Sequence, residues 1–191
     1  MIPQRPFTFL RHGESVYNRA GRIQGGRDVA LSERGLAQAE TARHALKDAV
    51  IGTVCASPLA RALETARIVN RAHRRPLVVI DDLAECGLGA LEGEHVPFAT
   101  WYPRWRAGGW PKGAEGYEDF LARALRGVLA ALGHPGPVLI VAHGGVYWSV
   151  QRALGLAEGA VIGNAVPITH EPDGPGWRVD GASTGPGGRT T

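Results

Sequence analysis

The stretch Phe7-Thr8-Phe9-Leu10-Arg11-His12-Gly13 decides the fold. Phe7 to Leu10 read as a short buried strand, and Arg-His-Gly ends it. The same design returns at Val138-Leu139-Ile140-Val141-Ala142-His143-Gly144-Gly145. Two strands that end in His-Gly and run on toward a helix are far less expected by accident than one. Working outward, residues 51–56 and 77–80 read as further strands. Residues 32–49 read as a helix capped by Ser32, with Leu36, Ala39, Ala42, Leu46 and Ala49 on one face. Ser57-Pro58 opens another helix, Ser as its cap and Pro at its first position. Residues 115–132 give the clearest helix, with Tyr117, Phe120, Leu121, Ala124, Leu125, Val128, Leu129 and Leu132 spaced by threes and fours. Weaker strands near 166–169 and 177–179 close the sheet edge. This alternation predicts an α/β fold, a three-layer helix–sheet–helix sandwich with a mostly parallel sheet. Ligands in such sheets bind beyond the carboxyl ends of the strands. Arg11-His12-Gly13, residues 57–61, Glu85 and His143-Gly144-Gly145 all follow predicted strand ends.

Composition bounds the function. The 191 residues, 44% hydrophobic and 20% charged, suit one domain over 1–180 with a flexible Gly-rich tail at 181–191. No apolar run approaches the ~20 residues of a membrane span, and Met1 to Pro6 lack a signal-peptide layout, so no membrane partner is expected. Cys55 and Cys86 are too few for a disulfide framework and do not make a zinc pair, which fits a reducing cytoplasm. The net charge is only +3 and the basic residues are scattered, so nucleic acid is not an expected partner. All basic residues but Lys47 and Lys112 are Arg, a bias compatible with anionic substrates and equally with codon usage.

Three side chains stand out for chemistry. His12 follows a strand, with Arg11 before it and Gly13 after it. A neutral imidazole beside a guanidinium and open backbone amides is placed to attack an electrophile that carries negative charge, such as phosphorus in a phosphomonoester. His143 repeats the arrangement. Arg61 falls in the first turn of a helix, where a cation opposes the helix dipole unless it faces a bound anion; an exposed surface arginine would look the same.

These blocks resemble the histidine phosphatase superfamily, also called phosphoglycerate mutase-like. The resemblance is carried by Arg11-His12-Gly13-Glu14-Ser15 with Asn18, by Gly21-Arg22-Ile23-Gln24-Gly25 with Asp28, Leu31, Ser32 and Gly35, and by Ala56-Ser57-Pro58-Leu59-Ala60-Arg61-Ala62 with Thr65-Ala66. Leu83-Ala84-Glu85 with Gly89, Glu92 and Gly93, and Val141-Ala142-His143-Gly144-Gly145, complete it. It implies His12 as the phosphoryl-accepting nucleophile, and Arg11, Arg61 and a protonated His143 around the phosphate. It also implies Glu85 as proton donor, held in a partly desolvated site. Asn18, Gln24, Gly25 and Gly144 would assist in substrate binding. The implied substrate is a small-molecule phosphomonoester, with no cofactor and no metal; a homo-oligomer stays open.

Rival readings remain at this point. A zinc site built from His12, His143, Glu85 and His95 meets repulsion from Arg11 and has no His-x-x-x-His pair. A dinucleotide site at residues 21–26 lacks both the glycine pattern and a preceding strand. Glu92 and Glu94 compete with Glu85 as the acid, and a phosphate-binding protein without catalysis would have no need of both histidines and Glu85. A cofactor-dependent phosphoglycerate mutase is the alternative enzyme, although Glu85 leads into Cys86-Gly87-Leu88-Gly89 where mutases of this family usually carry Arg and Tyr. Residues 94–114 form a substrate-side insertion holding Phe98, Trp101, Tyr102, Trp105 and Trp110. The first four share a helical face that either packs on the core or walls a ring-bearing substrate, with Arg104 or Arg106 reaching a second anion. Glu115 reads as a site residue or a helix-start acid, and Cys86 as a reactive or an inert thiol.

Overall fold

The computed structural model describes residues 1–109, 111–159 and 161–181. Trp110 and the tail from 182 onward lie outside the described residues. The elements are β1 (Phe7–Arg11), α1 (Val16–Arg19), α2 (Glu33–Ala45), β2 (Thr53–Ala56), α3 (Ala60–Asn70), β3 (Leu77–Val79), α4 (Phe98–Arg106), α5 (Tyr117–Leu132), β4 (Val138–Ala142), α6 (Gly144–Ala153), β5 (Pro167–Asp173) and β6 (Gly176–Asp180).

They form one six-stranded sheet in the order β3-β2-β4-β1-β5-β6. The first four strands are parallel, and β5 and β6 are antiparallel, so the sheet is mixed at one edge. Side chains alternate across it as the pleat requires. Phe7, Phe9, Cys55, Val138 and Ile140 face a core shared with α4, α5 and α6. Leu10, Val54, Ala56, Leu139 and Val141 face a second core under α2 and α3.

Two local expectations are corrected. Ser32 does cap α2, its Oγ accepting from Gly35 N at 3.1 Å, but the inward stripe is Gly35, Ala39, Ala42 and Leu46. Leu36 is 42% exposed, and Ala49 lies past the helix end and is exposed. The cause is at Gly35, where a Cβ would stand 1.9 Å from the Glu14 carbonyl oxygen, so that turn packs backbone on backbone and swings Leu36 outward. Ser57 is not a helix cap. Helix α3 begins at Ala60 with Leu59 as its N-cap; Ser57 lies before it, its Oγ accepting from Leu59 N at 3.3 Å and lying 2.7 Å from His143 Nε2.

The ladder sets the site. Arg11 pairs with Ala142 and Ala56 with Val141, so the carboxyl ends of the three central strands lie level. One residue further, His12 N donates to Ala142 O and Ser57 N to Val141 O, both at 3.0 Å. His12, Ser57 and His143 are therefore the first residues beyond three adjacent strands.

Candidate active site

At these strand ends opens a cavity of about 270 Å³. Arg11, His12, Asn18, Gln24, Gly25, Arg61, Glu85 and Gly144 all line it. His143 does not line the cavity. It is fully buried behind His12, with ring centroids 5.2 Å apart.

His12 is held in one tautomer. Its Nδ1 lies 2.6 Å from the Gly13 carbonyl oxygen, and a carbonyl only accepts, so Nδ1 carries the proton. Nε2 is left with its lone pair, toward which Arg61 Nε donates at 3.3 Å. Burial holds the imidazole pKa well below its usual value, and the charges of Arg61 and Arg11 push the same way; the Gly13 bond only partly opposes them. The free ring is neutral and nucleophilic. Its backbone is fixed as well: Gly13 N donates to Thr65 Oγ1 at 3.0 Å, and Asn164 Nδ2 to His12 O at 2.9 Å.

Arg61 is aimed by carbonyls, Nη1 donating to Arg27 O at 2.7 Å and Nη2 to Gly25 O at 3.0 Å. It is 1% exposed, which removes the surface-arginine reading. Gly25 contributes through that carbonyl. Its φ of +55° and the 2.2 Å between a Cβ there and Glu92 Oε1 both require glycine. Arg11 donates from Nη1 to Ile162 O at 2.8 Å, while its buried Nε has no partner among the described residues. Ser15 ties the acceptor ends of two amides: Asn18 Oδ1 accepts from Ser15 N at 3.2 Å and Gln24 Oε1 from Ser15 Oγ at 2.6 Å. Among the described residues their NH2 groups have no hydrogen-bond partner.

Burial first, then Arg61, His12 and Arg11, depress the His143 pKa well below normal. In the free protein the two guanidiniums oppose a third positive charge at His143, whereas the expectation of a protonated ring concerned the phosphate-bound site. Its Nδ1 is buried without a partner.

Glu85 is half-buried. Its Oε2 accepts from Gly145 N at 3.1 Å and its Oε1 from Cys86 N at 3.0 Å. Glu92 is a brace, its Oε1 accepting from both Gly26 N (2.8 Å) and Leu88 N (2.9 Å), and Glu94 is exposed outside the cavity lining. Glu115 does not reach the cavity either. It forms a bidentate pair with Arg123 at 2.8 and 2.7 Å, and Arg123 in turn donates to the carbonyls of Asp82 and Ala84 at 3.1 and 3.0 Å. Cys86 is buried, and burial raises its thiol pKa well above normal, so it is the inert kind. Among the described residues no cluster of three His, Cys, Asp or Glu is placed to hold a metal ion.

Helix α4 does both things that its aromatic face allowed. Tyr102 and Trp105 are buried in the core, whereas Phe98 and Trp101 line the cavity. Arg104 and Arg106 do not line it, and Arg106 lies 3.5 Å from Glu158. Sequence reasoning missed Trp148, Val161 and Ile162, which complete the wall from α6 and the loop beyond it. Trp148 sits five residues after His143, and that spacing on a helix leaving the site was the available signal.

A family model described as histidine phosphatase superfamily, branch 1, matches residues 7–171. The adenosylcobalamin/alpha-ribazole phosphatase of Salmonella typhimurium is 32% identical over 148 residues, covering 72% of this chain and 73% of that protein. A probable phosphoglycerate mutase of Proteus mirabilis is 33% identical over 146 residues, covering 71% and 67%. Among solved structures, a mycobacterial glucosyl-3-phosphoglycerate phosphatase complexed with VO3 superposes with a TM-score of 0.76 at 30% identity, covering 92% of this chain and 97% of that one.

Proposed function

The chain belongs to the histidine phosphatase superfamily, and from that premise we propose that it hydrolyses a small-molecule phosphomonoester through a phosphohistidine on His12. The observation that carries this reading is the His12 ring itself: its Nε2 lone pair is fixed by the Gly13 carbonyl and flanked by Arg61 at the floor of a cavity that Glu85 also lines.

Nε2 attacks phosphorus, the ester P–O bond breaks, and Glu85 gives its proton to the departing oxygen. Water then attacks the phosphohistidine, Glu85 takes a proton from it, and phosphate leaves with His12 restored. A bound monoester carries about −1.5 to −2 charges at pH 7, which Arg11 and Arg61 nearly balance. Their larger effect is on the charge spread over the transferring group, because carbonyl contacts already orient both side chains. We assign His143 to the same cradle. A buried, unpartnered Nδ1 beside His12 is a cost that an arriving acceptor removes. Asn18 and Gln24 add amide N–H groups, and Gly144 adds the open first position of α6.

The boundaries follow from this reading: one phosphatase domain over 1–180, with 94–114 as the insertion that walls the organic part of the substrate. Both cysteines are free thiols, which supports a reducing, cytoplasmic setting. Among the described residues no helix is long and apolar enough to cross a membrane.

The test is turnover in chelator on a panel of phosphomonoesters, including 3-phosphoglycerate with its bisphosphate, together with trapping of an acid-labile phosphoprotein. Phosphate release and a trapped species that disappears in His12→Ala are the expected results. Isomerisation of phosphoglycerate without phosphate release would make the protein a mutase. Binding with neither reaction would make it a receptor.

A further inference from the structure

Beyond the phosphate cradle the cavity changes character. Its outer wall is formed by Leu88, Val96, Phe98, Trp101, Trp148 and Ile162. The aromatic part of this wall is preformed. Phe98 stacks on Tyr102 at 4.5 Å and 19°, Trp101 stands edge-on to Phe98 at 5.3 Å and 88°, and Trp148 lies 4.8 Å from Tyr102. Behind them Trp105 is fully buried and donates its indole N–H to Glu115 O at 2.8 Å, which anchors α4 to the start of α5. Phe98 and Trp101 remain only half-buried, so they keep apolar surface available at the cavity.

Charge is scarce on the same wall. Apart from Arg11 and Arg61, the described residues lining the cavity include one further cation, Arg22, an exposed side chain whose Nη1 donates to Gly93 O at 2.6 Å and whose charge is screened by solvent. A second phosphate or a carboxylate on the leaving group would need a dedicated counter-charge there. Arg104 instead lines a separate hollow on the far side of Trp101, with Thr100 and Pro111.

We propose that the substrate's alcohol carries an apolar, ring-bearing body that packs against Phe98, Trp101 and Trp148, and carries no second anionic group. This inference rests on the hydrolase reading above and names the substrate class of that same site. A flat ring suits the wall because preordered aromatic faces lose little side-chain entropy on contact, and an apolar group gains by leaving water.

The experiment compares esters whose leaving alcohols are chemically alike at oxygen. Benzyl phosphate should exceed ethyl phosphate in kcat/KM by about thirtyfold, the factor expected from burying one phenyl ring. Glycerol 3-phosphate and 3-phosphoglycerate should fall at or below ethyl phosphate. Trp101→Ala should narrow the benzyl-to-ethyl ratio to below about fivefold by removing ring contact. Benzylphosphonate and ethylphosphonate, which cannot be hydrolysed at the bridging carbon, should show the same ordering as inhibitors of the wild-type protein, so the result does not depend on a variant folding. A ratio near one in both turnover and inhibition, or a preference for 3-phosphoglycerate, overturns the assigned class while hydrolysis stands. No hydrolysis of any ester overturns the hydrolase reading, and the phosphonate ordering then still reports on the wall.

Discussion

Replacing Gly145 by Ala is the sharpest single test of how Glu85 is held. A Cβ at this second position of α6 would lie 2.3 Å from Glu85 Oε1 and 3.0 Å from two atoms of the Phe120 ring. Ordinary contact is about 3.5 Å, so something must retreat by roughly 1 Å. Phe120 is fully buried, whereas Glu85 is half-buried, so the carboxylate yields first. The stability cost is modest. Overpacking costs about 1–3 kcal/mol, and Ala in place of Gly in a helix returns up to about 1 kcal/mol. The catalytic cost is larger, because a 1 Å misplacement of a reacting group is worth about a hundredfold. The assay is kcat/KM on benzyl phosphate and on nitrophenyl phosphate, with a thermal melt as the fold control. A loss of about a hundredfold is expected on benzyl phosphate and less than about tenfold on nitrophenyl phosphate, whose leaving oxygen needs no donated proton. Equal losses on both substrates, or no loss on either, would refute the claim that this backbone approach positions the proton donor.

Three further outcomes follow from the geometry. Glu85→Gln should lose benzyl phosphate turnover by about 10²–10⁴-fold, whereas Glu92→Gln, whose amide oxygen still accepts from Gly26 and Leu88, should stay within about threefold; the reverse pattern would make Glu92 the acid. Arg123→Ala frees the carbonyls of Asp82 and Ala84 and leaves Glu115 unpaired, so it should erode benzyl phosphate turnover more than nitrophenyl phosphate turnover, and Arg123→Lys should restore only part of it; equal erosion of both would limit Arg123 to stability. Stability should fall on acidification. His12, His143 and His170 are all buried with pKa values depressed below the ordinary 6.5, His170 to about 4. Their unfolded forms take up protons first, so stability is full above about 6.5 and drops as pH falls, by about 1.4 kcal/mol per unit for His170 alone down to its folded value. A melting temperature that stays flat from pH 7 to pH 5 would contradict these environments.

Much of this was legible in the chain because it is local or periodic. The apolar runs of β1 and β4, the His-Gly strand ends and the stripe of α5 each need only neighbouring residues. What escaped the sequence depends on distant partners. Ser57 has the look of a helix cap, and nothing local signals that its hydroxyl also meets His143, 86 residues away. Glu92 competes with Glu85 until Gly26 and Leu88 close on it. Leu36 reads as core until the close approach of Gly35 to Glu14 turns it outward. Glu115 has no evident purpose until Arg123, eight residues on in α5, grips it and the segment before Glu85 together. The aromatic face of α4 was visible, but its division into core and cavity residues depended on where α6 lies.

The last rung of the central ladder, His12 N to Ala142 O and Ser57 N to Val141 O, ties the reactive centre to the ends of the central parallel strands. Core strands open with free energies near that of global unfolding, and this rung continues them. Activity and native structure should therefore disappear together under denaturant, with no inactive but folded intermediate on the way. The α4 wall hangs on fewer contacts and can be rebuilt by mutation without loosening that rung, so the chemistry can be inherited unchanged while the molecules it acts on diverge.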